Sequence, residues 1–320
     1  MVITISFVIP CYCSNHTLKQ VVSEIEEVMQ RSEIYKVYEI ILVDSSSYDD
    51  TFKTIRELCM EKKHVKGIQL TKNFGQHASI MAGFRYSVGD YVVCLDGNGQ
   101  SPVNEVVKLF AKLEEGYDVV YARCEQNNYS NLGNICSRFG DFIIGVMQEK
   151  PKEIYLSNYF AAKRFIINDM VRYTSAYPYI ATLILRTTRN IVNVEVQYRE
   201  LREGAIRYNM KKHLMLCLNG LVSTIKPLKL ATTVGIFFSC SGFIYGVYII
   251  VKRIFNPLVP VGFSSIISVI VFMGGLIMIV LGLLGEYIGR IYICLNNYPQ
   301  YVVCEQMNFD VATNEDSNSS

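Results

Sequence analysis

The sequence predicts an α/β fold, in which a mostly parallel sheet is covered by helices, followed by a C-terminal two-helix transmembrane hairpin. The first observation is that short apolar runs alternate with amphipathic segments through residues 1–200. Repeated strand–helix units with almost continuously apolar strands are typical of parallel sheets buried on both faces. The second observation is a pair of long uncharged stretches after residue 229. Each is long enough to cross a bilayer as a helix.

The elements of the sheet domain follow from the period of their apolar residues. The segment 1–10 has no basic region and no cleavage site, so it is predicted to contain a strand and not a signal peptide. Further helices are expected between residues 123 and 190. The predicted strands are 3–10, 38–44, 65–70, 90–96, 118–123 and 190–200, and the predicted helices are 16–31, 51–60, 76–87 and 104–114.

Composition narrows the class of protein. The formal net charge of the 320-residue chain is +2, so bulk charge gives no sign of nucleic-acid binding. The ten cysteines are scattered, mostly within apolar runs, which is typical of free buried thiols and not of a disulfide framework. Cys11 and Cys13 form a C-x-C pair without a second Cys or His pair near in sequence, so a zinc site there is disfavoured.

Two uncharged stretches predict the membrane hairpin. They cover residues 230–251 and 260–285, and their many Gly and Ser residues suit close helix packing in lipid. Two buried core helices are the alternative. Basic residues are more numerous at the outer ends of the hairpin than in the loop between the spans, which predicts that the sheet domain is cytoplasmic. The outer residues are Lys211, Lys212, Lys226, Lys229 and Arg290, against Lys252 and Arg253 in the loop.

The predicted organisation has four parts. A helix at 208–228 has one apolar face and basic ends, so it is predicted either to lie in the membrane interface or to pack on the soluble domain. The last residues, from 310, are polar and predicted to be disordered. The predicted parts are a cytoplasmic sheet domain (1–207), the amphipathic helix (208–228), the hairpin (229–292, with spans at about 230–251 and 262–285) and a cytoplasmic tail (293–320).

Polar clusters follow three of the predicted strands, at 8–16, 43–51 and 94–102. The carboxyl ends of parallel strands converge on one crevice, where ligands bind. Asp44 and Asp96 each end a strand, so we expect them to lie near each other. With Asn98 and Gln100 they offer the oxygen ligands that suit a divalent cation carrying a diphosphate. The alternative is that the two aspartates cap helices and turns.

These motifs together resemble family 2 glycosyltransferases of the GT-A fold, and most closely the polyprenyl-phosphate branch. The matching motifs are V-I-P-x-Y (8–12), V-D-x-x-S-x-D-x-T (43–51), L-x-x-N-F-G (70–75), A-x-x-x-A-G (78–83) and L-D-x-x-x-Q-x-P (95–102), with the terminal hairpin. The resemblance implies an inverting, multi-pass enzyme of the inner (plasma) membrane, catalytic on the cytoplasmic side. It would transfer sugar from a nucleotide-sugar donor, commonly a UDP-sugar, to a polyprenyl phosphate, and serve the cell envelope. A homo-tetramer is also implied.

The resemblance also implies roles for individual residues. Arg123 and Arg138 would contact phosphates, and an ordinary solvated arginine is the alternative for both. Asn158 stands where the family has an acidic residue proposed as a base. The segment 202–208 resembles a loop that closes over the diphosphate, although Arg202 is one residue out of register. The implied nucleotide contacts are Pro10, Tyr12, Asp44, Asp96, Gly97, Arg202 and Tyr208, and the implied ligands of Mg²⁺ or Mn²⁺ are Asp96, Asn98 and Gln100.

The chain departs from the family by losing carboxylates. Ser45 follows Asp44 where the family has a second Asp, and Asn98 replaces the second Asp of D-x-D. An amide can still ligate a cation, but the site loses charge and binds it more weakly. Two hypotheses follow: a working transferase, or a catalytically relaxed relative that acts as a membrane scaffold or nucleotide-sugar-binding partner. A processive polysaccharide synthase is disfavoured, since the chain has no Trp for a Q-x-x-R-W motif.

Overall fold

The computed structural model describes residues 3–32, 35–124, 154–197, 263–296 and 298–309. The chain divides into two compact units. The first contains the sheet domain together with the segment from residue 297. The second contains residues 140–149 and 210–296.

The first unit is built on one eight-stranded sheet in the order β7-β5-β6-β4-β1-β2-β3-β8. Strands β1 to β4 pair in parallel, as do β5 and β7, whereas β6 and β8 run antiparallel to their neighbours. The strands are β1 Thr4–Cys11, β2 Val37–Asp44, β3 Val65–Leu70, β4 Tyr91–Cys94, β5 Val119–Cys124, β6 Phe160–Lys163, β7 Ile191–Val196 and β8 Val303–Met307. The predicted α/β class and mostly parallel sheet are confirmed.

Helices cover both faces of this sheet, which explains why its strands are apolar on both sides. One buried cluster joins the sheet to α1, α2 and α4, and the other joins it to α3, α5 and α6. A 3₁₀ turn at Val103–Glu105 leads into α4. The helices are α1 Asn15–Arg31, α2 Thr51–Glu61, α3 Gln76–Tyr86, α4 Val106–Glu114, α5 Arg164–Val171 and α6 Ile180–Thr187.

Helix α3 approaches the sheet closely because its residues there are small. A Cβ atom built on Gly83 would lie 2.3 Å from Cγ1 of Val8 on β1, so a larger side chain would force the helix away from the strand. The helix begins after Gly75, whose φ of +91° is in the left-handed region that favours glycine. The N-F-G motif (73–75) therefore sets the start of α3, and Gly83 of the A-x-x-x-A-G motif (78–83) allows its close approach to the sheet.

Two strands were missed by the sequence analysis. Strand β6 has only four residues, and its antiparallel pairing depends on β4 and β5, which are distant in sequence. Strand β8 lies in the segment predicted as a tail. It covers the edge of β3, and Asn308 fixes its end by donating to the carbonyl oxygens of Cys59 (2.7 Å) and Val65 (2.8 Å). Covering an edge strand prevents pairing with other chains.

The second unit contains one described helix, α7, at Phe263–Leu295. Most of the predicted second span, 262–285, lies within it. Within the described ranges, no helix meets the length and hydropathy expected of a membrane-spanning segment. The predicted helix 208–228, the predicted first span at about 230–251 and the polar end 310–320 lie outside the described residues.

Candidate active site

The carboxyl ends of the central strands bring several predicted residues into one line. Strand β4 pairs with β1 through Cys94 and Val8, and with β6 through Cys94 and Phe160. Strand β6 continues the line to β5 through Phe160 and Tyr121. Extending this register by two residues beyond Cys94 and before Phe160 brings Pro10, Asp96, Asn158 and Arg123 to the same edge of the sheet, and we call them the strand-end row. Pro10 and Arg123 lie within β1 and β5, whereas Asp96 follows β4 and Asn158 precedes β6. Neighbouring strands of a sheet are about 4.8 Å apart.

Asp96 is the acidic member of the strand-end row. It is partly buried, and Gln76 at the start of α3 donates a hydrogen bond to its Oδ1 over 2.7 Å. Burial raises the pKa of Asp96 to about 6, and the hydrogen bond from Gln76 opposes that rise. Gln76 was predicted only as the beginning of a helix. The A-x-x-x-A-G motif directly after it was the available signal, since it sets α3 against the sheet.

Asn98 and Gln100, both predicted metal ligands, bond to each other. The Asn98 amide donates to Oε1 of Gln100 over 2.8 Å, and the Gln100 backbone N–H donates to Oδ1 of Asn98 over 3.0 Å. Gly99 lies between them with φ of +74°. The turn therefore uses one acceptor position on each amide oxygen, and each oxygen keeps a second lone pair that can face a cation.

Asp44 and Asp96 lie at the same edge of the sheet but on strands that are not neighbours. It ends β2, opposite Cys11 of β1, and β1 separates β2 from β4. Two spacings between strands place the two aspartates roughly 10 Å apart, too far to ligate one cation. Ser47 binds Asp44 instead, with its hydroxyl donating over 2.5 Å and its N–H over 3.1 Å to Oδ1. Burial raises the pKa of Asp44, and these bonds oppose the rise.

The predicted nucleotide contacts Pro10, Tyr12 and Gly97 follow β1 and β4. The Tyr12 ring packs edge-to-face on Tyr48, with 6.2 Å between ring centroids. Tyr48 is 81% exposed and was not predicted as a site residue. A Cβ atom on Gly97 would lie 3.3 Å from the Pro10 carbonyl oxygen, so glycine allows the two loops to lie against each other. Thr17 fixes this contact by donating to the Gly97 carbonyl over 2.5 Å.

The remaining predicted residues divide into two groups. Arg123 and Asn158 are exposed. In the strand-end row Asn158 is next to Asp96, whereas Arg123 is two strands away from it, beyond β6. Within the described residues no ion pair involves Arg123. Arg138, Arg202 and Tyr208 lie outside the described residues.

Residues 6–171 match the family model described as "Glycosyl transferase family 2", and residues 226–291 match the model described as "GtrB C-terminal hairpin". The chain belongs to glycosyl transferase family 2. It is 32% identical over 303 residues to undecaprenyl-phosphate 4-deoxy-4-formamido-L-arabinose transferase of Proteus mirabilis, covering 93% of this chain and 92% of that protein. It is 29% identical over 300 residues to the uncharacterized glycosyltransferase YkcC of Bacillus subtilis, with the same two coverages.

Solved structures confirm the GT-A type of fold for this family 2 glycosyltransferase. Glucosyl-3-phosphoglycerate synthase from Mycobacterium tuberculosis, in complex with Mn²⁺ and uridine-diphosphate-glucose, matches with a TM-score of 0.53 and 18% identity, over 69% of this chain and 77% of that one. Mannosyl-3-phosphoglycerate synthase from Rubrobacter xylanophilus matches with a TM-score of 0.53 and 13% identity, over 71% and 75%. At these identities the likeness describes the fold alone.

The exposed tyrosine pair gives a first prediction for this glycosyltransferase. Tyr48→Ala should weaken UDP binding about tenfold, because stacking of a base on an aromatic ring contributes about 1–3 kcal/mol. Tyr48→Phe should keep wild-type affinity, since the ring and not the hydroxyl supplies the contact. Calorimetric titration with UDP measures both, and Tyr177→Ala is the control because Tyr177 is also exposed (45%). Equal UDP affinity in Tyr48→Ala and wild type would remove Tyr48 from the nucleotide site.

A second prediction follows from the raised pKa of Asp96. Because its pKa is about 6, the Asp96 carboxylate becomes protonated as pH falls below 6, and a cation held at Asp96, as proposed below, would lose this ligand. Mg²⁺-dependent UDP binding should therefore weaken about tenfold per pH unit below that value. Raising the Mg²⁺ concentration should move the midpoint to lower pH, since cation and proton compete. UDP titrations between pH 5 and 8 at two Mg²⁺ concentrations test this. If the pH midpoint of UDP affinity is the same at both Mg²⁺ concentrations, the prediction is wrong.

Proposed function

We propose that this glycosyltransferase moves a sugar from a UDP-sugar to undecaprenyl phosphate, with inversion at the anomeric carbon. The single observation that supports the proposal is the strand-end row, in which Asp96 and Arg123 belong to the same edge of the sheet; we propose that two phosphate-bearing substrates bind along this edge. The relatives named undecaprenyl-phosphate transferases support the acceptor, since their likeness runs through most of the chain. The matching hairpin description supports a membrane location, where a lipid acceptor resides.

The proposed reaction does not need a strong general base. In one displacement, an oxygen of the acceptor phosphate forms a bond to the anomeric carbon. The bond from that carbon to the β-phosphate oxygen breaks, and its electron pair leaves with UDP. The acceptor phosphate is already anionic near neutral pH, so Asn158 can replace an acidic residue without loss of a needed base. Catalysis then depends on positioning and on stabilising charge.

The proposal gives a role to residues inside and outside the described part of the chain. Tyr12 and Tyr48 hold the base, while Asp44 orders the turn through Ser47. Arg123 balances phosphate charge at the edge of β5, and Arg138 is proposed as a second contact to the acceptor phosphate. Arg202 and Tyr208 are proposed to close over the diphosphate. Asn158 lies between Asp96 and Arg123 in the strand-end row, where its amide can orient the acceptor.

A divalent cation, Mg²⁺ or Mn²⁺, is proposed to be held at Asp96. The donor set fits such an ion, but with one carboxylate and the two paired amides of Asn98 and Gln100. Among the described residues, no three His, Cys, Asp or Glu side chains form a metal site. Diphosphate oxygens and water would therefore complete the coordination, as is common for Mg²⁺. When bound, the ion would stabilise the negative charge of the departing diphosphate.

The membrane arrangement is also part of the proposal. Residues 229–292 are proposed to anchor the enzyme as a hairpin in the inner (plasma) membrane, with the sheet domain on the cytoplasmic side, where nucleotide sugars are made available. The positive residues at the outer ends of the hairpin support that orientation. A homo-tetramer is proposed from the family resemblance.

The loss of carboxylates favours one second candidate. If the mutual bonds of Asn98 and Gln100 withdraw both amides from a cation, the protein would bind a nucleotide sugar without transferring it. It would then act as a membrane scaffold or nucleotide-sugar-binding partner. The relaxed relative and the working transferase both predict nucleotide binding, so only transfer separates them.

Lipid labelling tests the proposed function. Membranes containing the full chain are incubated with undecaprenyl phosphate, Mg²⁺ or Mn²⁺, and a panel of radiolabelled UDP-sugars that includes UDP-4-deoxy-4-formamido-L-arabinose. Label in the extracted lipid that requires both the protein and undecaprenyl phosphate is the expected result, and it identifies the sugar. Absence of label with every donor, alongside measurable UDP binding, would favour the relaxed relative.

A third prediction concerns the altered metal motif. Asn98→Asp should keep or strengthen Mg²⁺ affinity, because it adds a carboxylate beside Asp96. Mg²⁺ dependence of lipid labelling measures this, and Asn104→Asp, an exposed site outside the strand-end row, is the matched control. A large loss of activity in Asn98→Asp would show that the amide is required as it stands, through its bond to Gln100.

A further inference from the structure

Three buried polar atoms lie next to the strand-end row without a hydrogen-bond partner in the described part of the chain. They are Nδ1 of His77, the hydroxyl oxygen of Tyr121 and Oγ1 of Thr182, and we call them the inner polar cluster. A buried polar group without a partner costs about 1–3 kcal/mol. Native proteins pair nearly all such groups, so three together call for an occupant.

The contacts of these residues place them together. The His77 ring packs on the Tyr179 ring, with 4.8 Å between centroids. Thr182 lies in the first turn of α6, which begins directly after Tyr179. Tyr121 belongs to the buried cluster that α3 and α6 form on this face of the sheet, and Tyr179 adds to the effect of burial in raising the pKa of Tyr121. The inner polar cluster therefore lies between α3, α6 and strand β5.

The inner polar cluster also adjoins the reacting groups. His77 follows Gln76, whose side chain binds Asp96. Tyr121 precedes Arg123 by two residues on β5, so both side chains point to the same face of the sheet. Tyr121 is 1% exposed, whereas His77 and Thr182 are only partly buried.

The charge of the inner polar cluster limits what it can bind. Burial lowers the pKa of His77 to about 4, so its ring is neutral at physiological pH. Burial likewise raises the pKa of Tyr121, so its hydroxyl is neutral as well. A phosphate or a carboxylate would lack a cationic partner here. A neutral ligand with several hydroxyl groups supplies both the donors and the acceptors that these atoms need.

We infer that the inner polar cluster binds the hydroxyl groups of the donor sugar and sets which sugar is accepted. This rests on the proposed transfer from a UDP-sugar. Polar sites of this kind discriminate strongly, because a sugar lacking the matching hydroxyl leaves the buried protein groups unpaired.

Binding measurements with two hydroxyl-deleting variants test the inference. Tyr121→Phe and Thr182→Val each remove one unpaired atom at nearly constant volume. Calorimetric titrations with Mg²⁺ compare UDP with UDP-glucose, UDP-galactose, UDP-N-acetylglucosamine and UDP-4-deoxy-4-formamido-L-arabinose. We expect UDP affinity within twofold of wild type in both variants, and about tenfold weaker binding of the UDP-sugar that wild type prefers. Thr187→Val, also on α6 but bonded to Asp169, should change neither affinity.

Several outcomes would overturn the inference. Unchanged affinity for every UDP-sugar in both variants would mean that the three atoms hold only internal water. An equal loss for UDP and UDP-sugar would mean a structural role, and a wild-type protein that distinguishes none of the UDP-sugars would exclude a sugar-selecting site. Tyr121→Phe should fold, since removing an unpaired hydroxyl is close to neutral, and Thr182→Val gives the same test independently. Failure of the proposed function appears separately, as UDP-sugar binding without lipid labelling.

Discussion

Asp96→Asn is expected to reduce lipid labelling by about 10²–10³-fold, because removing one preorganised charge-stabilising group from an active site has an effect of that size. The substitution keeps the shape of the side chain and its place beside Gln76, and it removes the negative charge. UDP binding in the absence of a divalent cation should remain, since Tyr12 and Tyr48 are untouched. The measurement is the initial rate of transfer with the donor found in the lipid-labelling experiment.

The stability of the same variant shows whether the loss is chemical. The folded-state pKa of Asp96 is raised to about 6, so the fold loses stability as pH rises from about 4, the usual pKa of an unfolded aspartate, to about 6. Asp96→Asn should therefore raise the thermal midpoint at pH 7.5, and the gain should disappear below about pH 4, where the wild-type carboxyl is protonated in both folded and unfolded chains. An inactive variant with a higher midpoint cannot be dismissed as unfolded.

Asp90→Asn is the matched control. Asp90 precedes the same strand, β4, but at its opposite end, where its side chain accepts from the Thr4 N–H over 2.8 Å and from the Thr4 hydroxyl over 2.7 Å. Both bonds end on the same oxygen, Oδ2, so an asparagine oxygen can keep both, and transfer should stay near the wild-type rate. Wild-type activity in Asp96→Asn, or a matching loss in Asp90→Asn, would contradict the assignment of Asp96.

Glu39→Ala is expected to lower the free energy of unfolding by about 3–5 kcal/mol, the usual effect of removing one partner from a buried ion pair. Glu39 on β2 is buried (7% exposed). Its Oε2 lies 2.7 Å from Lys66 Nζ, while its Oε1 accepts from Ser6 Oγ over 2.5 Å and from the Val88 N–H over 2.8 Å. Removing the carboxylate takes this partner from the Lys66 ammonium group, the Ser6 hydroxyl and the Val88 N–H.

Thermal unfolding of the full chain in detergent measures this effect. For a domain of this size, about 2–4 °C per kcal/mol is expected, which gives a fall of about 6–20 °C. Glu39→Gln should have an intermediate effect, because it can still accept from Ser6 while losing the ion pair. Glu115→Ala is the control, since Glu115 pairs with Lys112 on the surface and such pairs contribute about 0–1 kcal/mol. A shift in Glu39→Ala no larger than the control would refute a stabilising role.

Residue type and local spacing were sufficient to predict most of the strands and helices of the sheet domain. The apolar periods predicted β1 to β5, β7 and the four helices α1 to α4 with small differences at their ends, because in a parallel sheet each strand and helix must bury its own apolar side chains. The motif at 95–102 likewise predicted Asp96 at a strand end. Membership of family 2 followed from the motifs in their order, which the matched description over residues 6–171 confirms.

Features that depend on pairing between distant segments could not be predicted from residue type and local spacing. The four residues of β6 carry no distinctive pattern, yet their antiparallel pairing sets Asn158 between Asp96 and Arg123. The sequence also placed Asp44 near Asp96, because both follow strands, and it could not show that β1 separates them. Strand β8 was assigned to a tail, since only the open edge of β3 makes that segment a strand.

The sequence by itself therefore determined the class of fold, the family and the acidic residue of the site, because these depend on residue type and local spacing. The tertiary structure decided which side chains meet: Gln76 with Asp96, Tyr48 with Tyr12, Asn98 with Gln100, and the inner polar cluster. Those contacts join residues from separate strands and helices, and their geometry is fixed by strand order and by how closely α3 approaches the sheet. Neither the strand order nor the distance between α3 and the sheet can be predicted from any single segment of the sequence.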